Sequence, residues 1–302
     1  MKLLRWTAGG RPVVGRMVDD SRAVPIAESV VAAAARATRE PGWEAAATGD
    51  ALSVAELALL APVETPGALR DFYAFERHVA TARARRGLEM DPTWYRLPVF
   101  YFSNPAAVVG PGAVVPIPPR AAQMDYELEL AWLVGRDVTG ADLEAAGSAV
   151  VGYAVMNDWS ARDVQREEMT LSLGPAKGKD FATSVGPVLT TADEFDPTGG
   201  AMRAWVNDTL YTEADLSECF WSVAEMTAYA AESTRVRAGD LFGSGTCGGG
   251  CILELALTAG EDAYPWLRAG DVVDLEIEGL GRLRNTVGPA SAATWRRPSE
   301  DR

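Results

Sequence analysis

Three carboxylates occur at alternating positions of one short stretch, MDYELELAW, which spans residues 124–132. Successive side chains of an extended strand point to opposite faces, so Asp125, Glu127 and Glu129 are expected to share one face. Carboxylates at that spacing repel each other unless water or a cation lies between them. The pattern indicates either a half-exposed strand with a solvated acidic face or a cation site.

Two further acids stand where a side chain could enter a cleft. Asp158 ends the apolar run GYAVMNDWS, and a carboxylate at a strand end projects toward the loops. Asp71 lies seven residues before His78, at an expected loop-to-helix junction, where helix capping is the alternative role. A site made of carboxylates selects hard cations, Mg²⁺ first, with Ca²⁺ or Mn²⁺ as alternatives.

His78 is the single histidine among the 302 residues. Metal sites built from two or three imidazoles are therefore excluded. The sequence has no G-x-S-x-G motif for a serine hydrolase, and no Walker A or strand-linked G-x-G-x-x-G motif for a nucleotide. Oxygen ligands and one imidazole remain as the chemistry that the composition favours.

Charge and composition limit the expected partners. The net charge is −14, and no cluster of Lys and Arg is large enough to neutralise nucleic-acid phosphates. The short basic cluster of Arg83, Arg85 and Arg86 indicates a solvated helix face or counter-charges for an anionic substrate. No signal peptide or membrane-spanning stretch is recognised, and three sparse cysteines favour the reducing cytoplasm. We expect no nucleic-acid or membrane partner.

Residues 1–62 are predicted to form a small N-terminal domain of short strands and helices. Helical patterns occur near 27–38 and 52–59, and Ser53 with Glu56 suits a capping box at the start of the second helix. A Pro-rich step, APVETPG, marks the soft boundary near residue 62.

Residues 63–302 are predicted to form the catalytic domain. LRDFYAFERHVATARARRG has the period of a helix that ends at Gly87, and the chain is rich in strands from about residue 97. CILELAL is among the predicted strands, and helices are expected near 141–146 and 220–232. Because parallel β/α alternation is absent, the sequence predicts an α+β fold with a large mixed sheet or β-roll.

Five motifs together resemble the fumarylacetoacetate hydrolase family: DFYAFERH, MDYELELAW, MNDWSARDVQ, LGPAKGKDFATSVGP and GTCGGGCILEL, in that order. The resemblance covers roughly residues 62–290. It implies a mixed β-sheet roll or sandwich of the type found in the C-terminal domain of this family.

The resemblance also implies roles for individual residues. The positions that match the family's divalent-metal ligands are Asp71, Glu127, Glu129 and Asp158. The positions that match its catalytic residues are His78 as general base, Glu254 as the group that orients it, and Lys179. The positions that match its substrate contacts are Tyr101, Arg162, Gln165 and Thr246.

Several of these residues have simpler alternatives. Lys179 could be a surface lysine of a loop, and Tyr101 could belong to the core. Arg162 could pair with its neighbours Asp163 or Glu167, and Glu254 could be an exposed strand residue. Asp125 matches no assigned role, so a hydrogen-bond acceptor behind the metal ligands and a solvated strand residue are equal alternatives.

By resemblance, the expected activity is a metal-dependent hydrolysis of a carbon–carbon bond in a β-diketo acid, such as an acylpyruvate, through a metal-bound enolate. The small anionic substrate would meet positive charge from Lys179 and Arg162. The alternative on the same site is a decarboxylase or an isomerase/tautomerase of a 2-oxo acid such as oxaloacetate or a 2-hydroxy-dienedioate. A non-catalytic binding or scaffold protein is a third hypothesis, and the family resemblance also implies a homodimer. LPVFYF differs from the LPVGYHGR of fumarylacetoacetases, which favours a substrate other than fumarylacetoacetate.

Overall fold

A computed structural model describes residues 1–292, which form six short α-helices and two main β-sheets. The chain begins with β1 (Lys2–Ala8), β2 (Arg11–Met17), β3 (Arg22–Pro25), α1 (Val30–Arg39), β4 (Leu52–Ser53) and β5 (Leu59–Leu60). It continues with β6 (Leu69–Phe72), α2 (Glu76–Ala84), β7 (Phe100–Ser103), β8 (Val108–Val109), β9 (Val114–Ile117), β10 (Met124–Asp125) and β11 (Leu128–Val134). Next come β12 (Val138–Thr139), α3 (Leu143–Gly147), β13 (Val150–Asp158), β14 (Ser160–Ala161), α4 (Arg162–Met169), β15 (Thr183–Thr191) and β16 (Ala201–Val206). The last elements are β17 (Thr209–Asp215), α5 (Val223–Ala231), β18 (Arg235–Val236), β19 (Leu241–Gly243), α6 (Ile252–Ala259), β20 (Val272–Ile277) and β21 (Gly281–Ala290).

Both main sheets mix parallel and antiparallel strands. The large sheet has the order β4-β3-β2-β1-β15-β13-β11-β19-β6-β7, with β5 beside β1 and β8 beside β15. The second sheet has the order β17-β16-β20-β21-β9. Strands β6 and β19 are parallel, as are β8 and β15 and also β9 and β21, whereas the other pairs are antiparallel. The predicted α+β class with a large mixed sheet is confirmed.

Strand β11 is buried on both faces, which places it at the centre of the molecule. Leu130 and Trp132 point into the core that the two sheets enclose, and Trp132 stacks on Phe242 with 5.4 Å between ring centroids. Ala131 and Leu133 point into a second core, which α1 covers. A strand packed on both sides offers a rigid support for any functional side chain at its end.

The N-terminal strands continue the large sheet. Leu3 of β1 pairs with Leu189 of β15, so β1 joins the strands of residues 1–62 to the part of the chain that follows. The domain boundary near residue 62 stays a prediction. The end of the predicted catalytic domain, residues 293–302, lies outside the described residues.

The helices expected near 27–38, 141–146 and 220–232 are present as α1, α3 and α5. The helix predicted over 52–59 is wrong, because this segment forms β4, β5 and one 3₁₀ turn between them. Ser53 makes no capping hydrogen bond. Backbone pairing of β4 with β3 and of β5 with β1 replaces a helix that is too short to be stable alone.

Two further segments differ from their predicted structure. Residues 69–72 form β6 instead of the start of a helix, because all four are buried between β19 and β7. Asp71 is therefore a strand residue, and the helix α2 begins only at Glu76. CILELAL forms α6 instead of a strand; Leu, Glu and Ala all favour helices, and Gly260 ends it with a positive φ of 91°.

The longest helix of the described residues, α1, has ten residues. None of the helices in residues 1–292 has the length and apolarity that crossing a membrane requires.

Candidate active site

Three carboxylates from neighbouring strands of the large sheet meet in one cluster. Asp158 ends β13, Glu129 lies in the adjacent β11, and Asp71 lies in β6, which β19 separates from β11. One oxygen atom of each side chain lies within 4.8 Å of the others, and all three side chains are buried. We name Asp71, Glu129 and Asp158 the carboxylate cluster.

The end of β19 supports the carboxylate cluster with its backbone. The Gly245 N–H lies 3.2 Å from Asp71 Oδ1 and 3.0 Å from Glu129 Oε2, and donates to both. A Cβ atom at Gly243 would lie 2.8 Å from each of these same two oxygens. A glycine at position 243 is therefore needed for the two carboxylates to approach this strand.

The alternating acids of β10 and β11 are all buried, with exposed fractions of 0% for Asp125, 4% for Glu127 and 1% for Glu129. The solvated acidic face considered from the sequence is therefore wrong. Only Glu129 of the three belongs to the carboxylate cluster. Glu127 stands between β10 and β11, beside the cluster, where positive side chains contact it.

Arg162 and Lys179 supply those positive charges. Arg162, at the start of α4, donates from Nη2 to Glu127 Oε1 over 2.7 Å and from Nε to Asp125 Oδ2 over 2.8 Å. It does not pair with Asp163 or Glu167. The Lys179 ammonium contacts both Glu127 and Asp158. With only 4% of its surface exposed, Lys179 is not the surface loop lysine that the sequence allowed.

The Tyr101 hydroxyl also reaches the carboxylate cluster. It lies 2.5 Å from Asp158 Oδ2 and 3.2 Å from Asp71 Oδ2 and donates to them. Burial raises the pKa of Tyr101 well above its usual value, and the charges of Asp158 and Asp71 raise it further. Tyr101 is therefore a neutral donor at working pH, and its hydroxyl points to the site and not into the core.

Burial and mutual repulsion control the protonation of the carboxylate cluster. Burial raises the pKa of Glu129 well above its usual value, and the nearby Asp71 and Asp158 raise it further. Burial likewise raises the pKa of Asp158 well above the usual value and that of Asp71 less strongly, although Lys179 opposes the shift in both. Without added positive charge, the cluster tends to hold protons.

Glu127 shows the opposite behaviour. Burial alone would raise its pKa, but Arg162 and Lys179 outweigh burial, and the pKa of Glu127 falls below its usual value. Burial would lower the pKa of Lys179, but Asp158 and Glu127 raise it instead. Glu127 and Lys179 thus form a buried pair in which both members are charged.

The residues present fit a divalent cation. Asp158 Oδ1 is buried and has no hydrogen-bond partner within the described chain, which leaves one oxygen lone pair of the cluster unused. A cation could replace the protons that these three mutually close carboxyl groups tend to hold, and oxygen donors of this kind suit Mg²⁺, Ca²⁺ or Mn²⁺. Asp71, Glu129 and Asp158 would hold the ion, with Glu127 next to them. The identity of the ion stays a prediction.

His78 and Glu254 form a second buried unit. His78 Nδ1, on α2, lies 2.9 Å from Glu254 Oε2, on α6. Because a carboxylate only accepts, Nδ1 carries the hydrogen and Nε2 keeps its lone pair. The Gly249 N–H donates to the same Glu254 oxygen over 2.9 Å, so the carboxylate is held from two sides. Glu254 is 3% exposed, which rules out the exposed strand residue considered from the sequence.

Cys251 lies beside this unit and completes a second group of potential metal-binding atoms with His78 and Glu254. Burial raises the pKa of the Cys251 thiol well above its usual value, and Asp125 raises it further. A thiol that keeps its proton is a poor metal ligand. The pair of His78 and Glu254 therefore resembles an acid–base unit more than a metal site.

The remaining predicted substrate contacts lie at the edge of these two units. Thr246 is buried, and its hydroxyl is 3.4 Å from Glu129 Oε1. Gln165 Oε1 accepts a hydrogen bond from Arg162 Nη1 over 3.3 Å. Both residues are therefore brought to the site by contact with residues already described.

Sequence reasoning did not assign Tyr73, which the structure places against His78. The two rings meet edge to face, with 5.5 Å between their centroids. Burial raises the pKa of Tyr73 to about 12, so the hydroxyl keeps its proton. The sequence signal that could have identified Tyr73 is its position two residues after Asp71, in the same motif as His78.

A buried carboxylate cluster and a carboxylate-oriented imidazole are the groups that an enzyme combining a hard cation with one general base would need. Residues 68–288 match the family described as fumarylacetoacetate (FAA) hydrolase, C-terminal. This match covers well over half of the chain, and the protein belongs to the fumarylacetoacetate hydrolase family.

Individual proteins agree with this assignment but differ in activity. The chain is 28% identical to oxaloacetate tautomerase YisK of Bacillus subtilis over 238 residues, 78% of this chain and 75% of that protein. It is 32% identical to the 2,4-didehydro-3-deoxy-L-rhamnonate hydrolase of a Sphingomonas species, over 63% of this chain and 65% of that protein. The solved structure of the fumarylacetoacetate hydrolase of Exiguobacterium antarcticum superposes with a TM-score of 0.74 at 27% identity, covering 96% of this chain and 99% of that one.

Proposed function

We propose that this protein hydrolyses a carbon–carbon bond in a β-diketo acid of the acylpyruvate type. One observation carries the proposal: Glu254 binds Nδ1 of His78, and the segment that donates to Glu254 from Gly249 also donates to the carboxylate cluster from Gly245. Hydrolysis needs a base that takes a proton from water, and an imidazole oriented by a carboxylate suits that role.

His78 is the base of the proposed reaction. Its Nε2 takes a proton from a water molecule, and the water oxygen bonds to one carbonyl carbon of the substrate. The carbon–carbon bond then breaks, and its electron pair moves onto the neighbouring carbonyl as an enolate. Protonation of the enolate carbon completes the reaction. Glu254 stabilises the imidazolium that exists between the two proton transfers.

The buried positive charges suit an anionic substrate. Lys179 and Arg162 are 4% exposed and both face acids, so they bring positive charge into a strongly acidic chain. We propose that they bind the carboxylate of a small keto acid and support the enolate. When bound, a divalent cation held by the carboxylate cluster would add Lewis-acid stabilisation of negative charge on the substrate.

The test is a set of β-diketo acids assayed with Mg²⁺ and with EDTA, following loss of the enol absorbance and identifying products by NMR. We expect two acids to be released in equal amounts and activity to be lost in EDTA. Enol loss without cleavage of any compound would contradict the hydrolase proposal.

A tautomerase or decarboxylase acting on a 2-oxo acid such as oxaloacetate is the second candidate. It is supported by the similarity to oxaloacetate tautomerase over 78% of the chain. His78 would then shuttle a proton between carbon and oxygen without an attacking water. Conversion of enol to keto oxaloacetate without CO₂ favours the tautomerase, and CO₂ release without hydrolysis favours the decarboxylase.

The remaining expectations from the sequence stay proposals. We propose a homodimer, to be tested by analytical ultracentrifugation, and location in the cytoplasm. Neither a nucleic acid nor a membrane is proposed as a partner.

A further inference from the structure

Asp125 is completely buried, and three groups from two different elements bind its carboxylate. Arg162 donates from Nε to Oδ2 over 2.8 Å. The backbone N–H groups of Ile252 and Leu253 donate to Oδ1 over 2.7 Å and to Oδ2 over 3.0 Å. Both oxygens thus accept hydrogen bonds from the protein, and no part of Asp125 is exposed to solvent.

The contact with residues 252 and 253 fixes the start of α6. The first N–H groups of any helix lack partners within the helix and need acceptors from outside. The N-cap residue Cys251 makes no capping hydrogen bond with its side chain. Asp125 lies in β10, 127 positions before Ile252, and supplies the missing acceptors. Glu254 lies in this first turn, so the same contact sets where Glu254 meets His78.

The contact with Arg162 fixes the other half of the site. Its guanidinium joins Asp125 through Nε and Glu127 through Nη2, so its plane is defined by two carboxylates. Without Asp125, the guanidinium would keep the bond to Glu127 and a longer one to Gln165 on its own helix, but it would lose the second of its two carboxylate partners.

We propose that Asp125 is a positioning residue that holds the helix of Glu254 and the guanidinium of Arg162 in one frame. Through α6 and Glu254, Asp125 sets the orientation of His78. Through Arg162, it sets the partner of Glu127. The acid–base role of His78 comes from the proposed function, but the geometric link does not depend on which reaction is catalysed.

The single histidine of the chain gives a direct test. With ¹⁵N-labelled histidine, the imidazole signals of the full-length protein arise from His78 alone, and their shifts report which nitrogen carries the hydrogen. The wild type is expected to show the Nδ1–H tautomer. Asp125→Asn places an NH₂ group, which cannot accept, against Arg162 or the start of α6. We expect this variant to lose the single tautomer and its kcat to fall about 10–100-fold.

Asp274→Asn is the matched control. Asp274 is also a buried acid bound by arginines, Arg282 and Arg284, but it lies in β20 of the second sheet. It should lower the melting temperature while leaving the His78 tautomer and kcat unchanged. If both variants lose stability and both keep the wild-type tautomer, Asp125 is only structural and the proposal is overturned.

A double variant keeps the test decisive if Asp125→Asn folds poorly. Adding Cys251→Ser provides α6 with a local N-cap hydroxyl, in a residue whose extended backbone suits that role. We expect this second change to restore the Nδ1–H tautomer without restoring the Arg162 contact. A double variant that is still unfolded would assign Asp125 to fold stability alone and overturn the proposal. Loss of turnover on every substrate, with the tautomer result intact, would count against the proposed function and not against this link.

Discussion

His78 Nδ1 lies 2.9 Å from Glu254 Oε2, although the two residues are 176 positions apart and belong to different helices. Gly249 donates to the same oxygen, so the carboxylate orients the imidazole and is itself held by the backbone. This arrangement fixes the hydrogen on Nδ1 and leaves Nε2 as the base. The relationship leads to a first prediction about turnover.

Replacing His78 with alanine should reduce hydrolysis about 10²–10⁴-fold, because the water loses its proton acceptor. Binding of Mg²⁺, measured by calorimetry, should be largely retained, since the carboxylate cluster does not include His78. Glu254→Gln is a milder variant. It keeps the shape of the side chain but removes the charge that stabilises the imidazolium. Unchanged turnover in the alanine variant would rule out the proposed mechanism.

A second prediction concerns pH and cation binding. In the metal-free protein, burial and neighbouring acids raise the pKa of Glu129 and Asp158 well above their ordinary values of 4.5 and 3.8. At a pH between the ordinary and the raised pKa of these groups, the folded state binds more protons than the unfolded state. The two groups therefore contribute less stability as pH rises. Glu127 acts in the opposite direction, because its lowered pKa gives a contribution that is lost as pH falls.

A bound cation takes the place of those protons, so stabilisation by Mg²⁺ should grow with pH. We expect the increase in melting temperature at saturating Mg²⁺ to be larger at about pH 8 than at about pH 5. Thermal unfolding with Mg²⁺ and with EDTA at each pH measures the difference. An increase of equal size at both pH values would contradict the replacement of these protons by the cation.

Short motifs revealed most of the candidate site because its chemistry is encoded in residue types at fixed spacing. Asp71, His78, Glu129 and Asp158 could all be named from three stretches of sequence, and the α+β class followed from the turn-separated strands. The local conformation was harder to predict. CILELAL is a short apolar run, and such runs do not distinguish a helix from a buried strand by period alone.

Long-range partners could not be predicted from sequence spacing. Arg162 has Asp163 and Glu167 nearby on its own helix, yet it binds Asp125 and Glu127 of an earlier segment. The role of Asp125 depends on the packing of α6 against β10, and nothing in MDYELELAW indicates that contact. Pairings of this kind are set by the fold and not by local sequence.

A third prediction tests the support that β19 gives to the carboxylate cluster. In Gly243→Ala the added methyl group would press on Met156, Asp71 and Glu129, and crowding of this kind costs about 1–3 kcal/mol. Affinity for Mg²⁺ should fall as well, because two of the three acids must shift. Gly199→Ala is the matched control, since a Cβ there meets nothing within 4 Å. Equal unfolding free energies and Mg²⁺ affinities in the two variants would contradict this role of Gly243.

A fourth prediction concerns the loop that delivers Lys179. Glu168, near the end of α4, accepts hydrogen bonds from the backbone N–H groups of Ala176, Lys177 and Gly178 over 2.6, 2.8 and 3.0 Å. The intervening loop has few anchors, and Leu171 and Leu173 are 81% and 93% exposed. Glu168 is thus the group that closes this loop and places Lys179 beside Glu127.

Glu168→Gln should loosen the loop, because an amide has only one accepting oxygen and no charge, and hydrogen bonds to a charged group contribute about 1.5–3 kcal/mol each. We expect faster trypsin cleavage after the exposed Lys177 and a higher KM for an anionic substrate. Glu167→Gln is the control, since the carboxylate of this exposed neighbour accepts no hydrogen bond within residues 1–292. If trypsin cuts both variants at the wild-type rate, Glu168 does not hold the loop, and the placement of Lys179 must depend on its own contacts with Glu127 and Asp158.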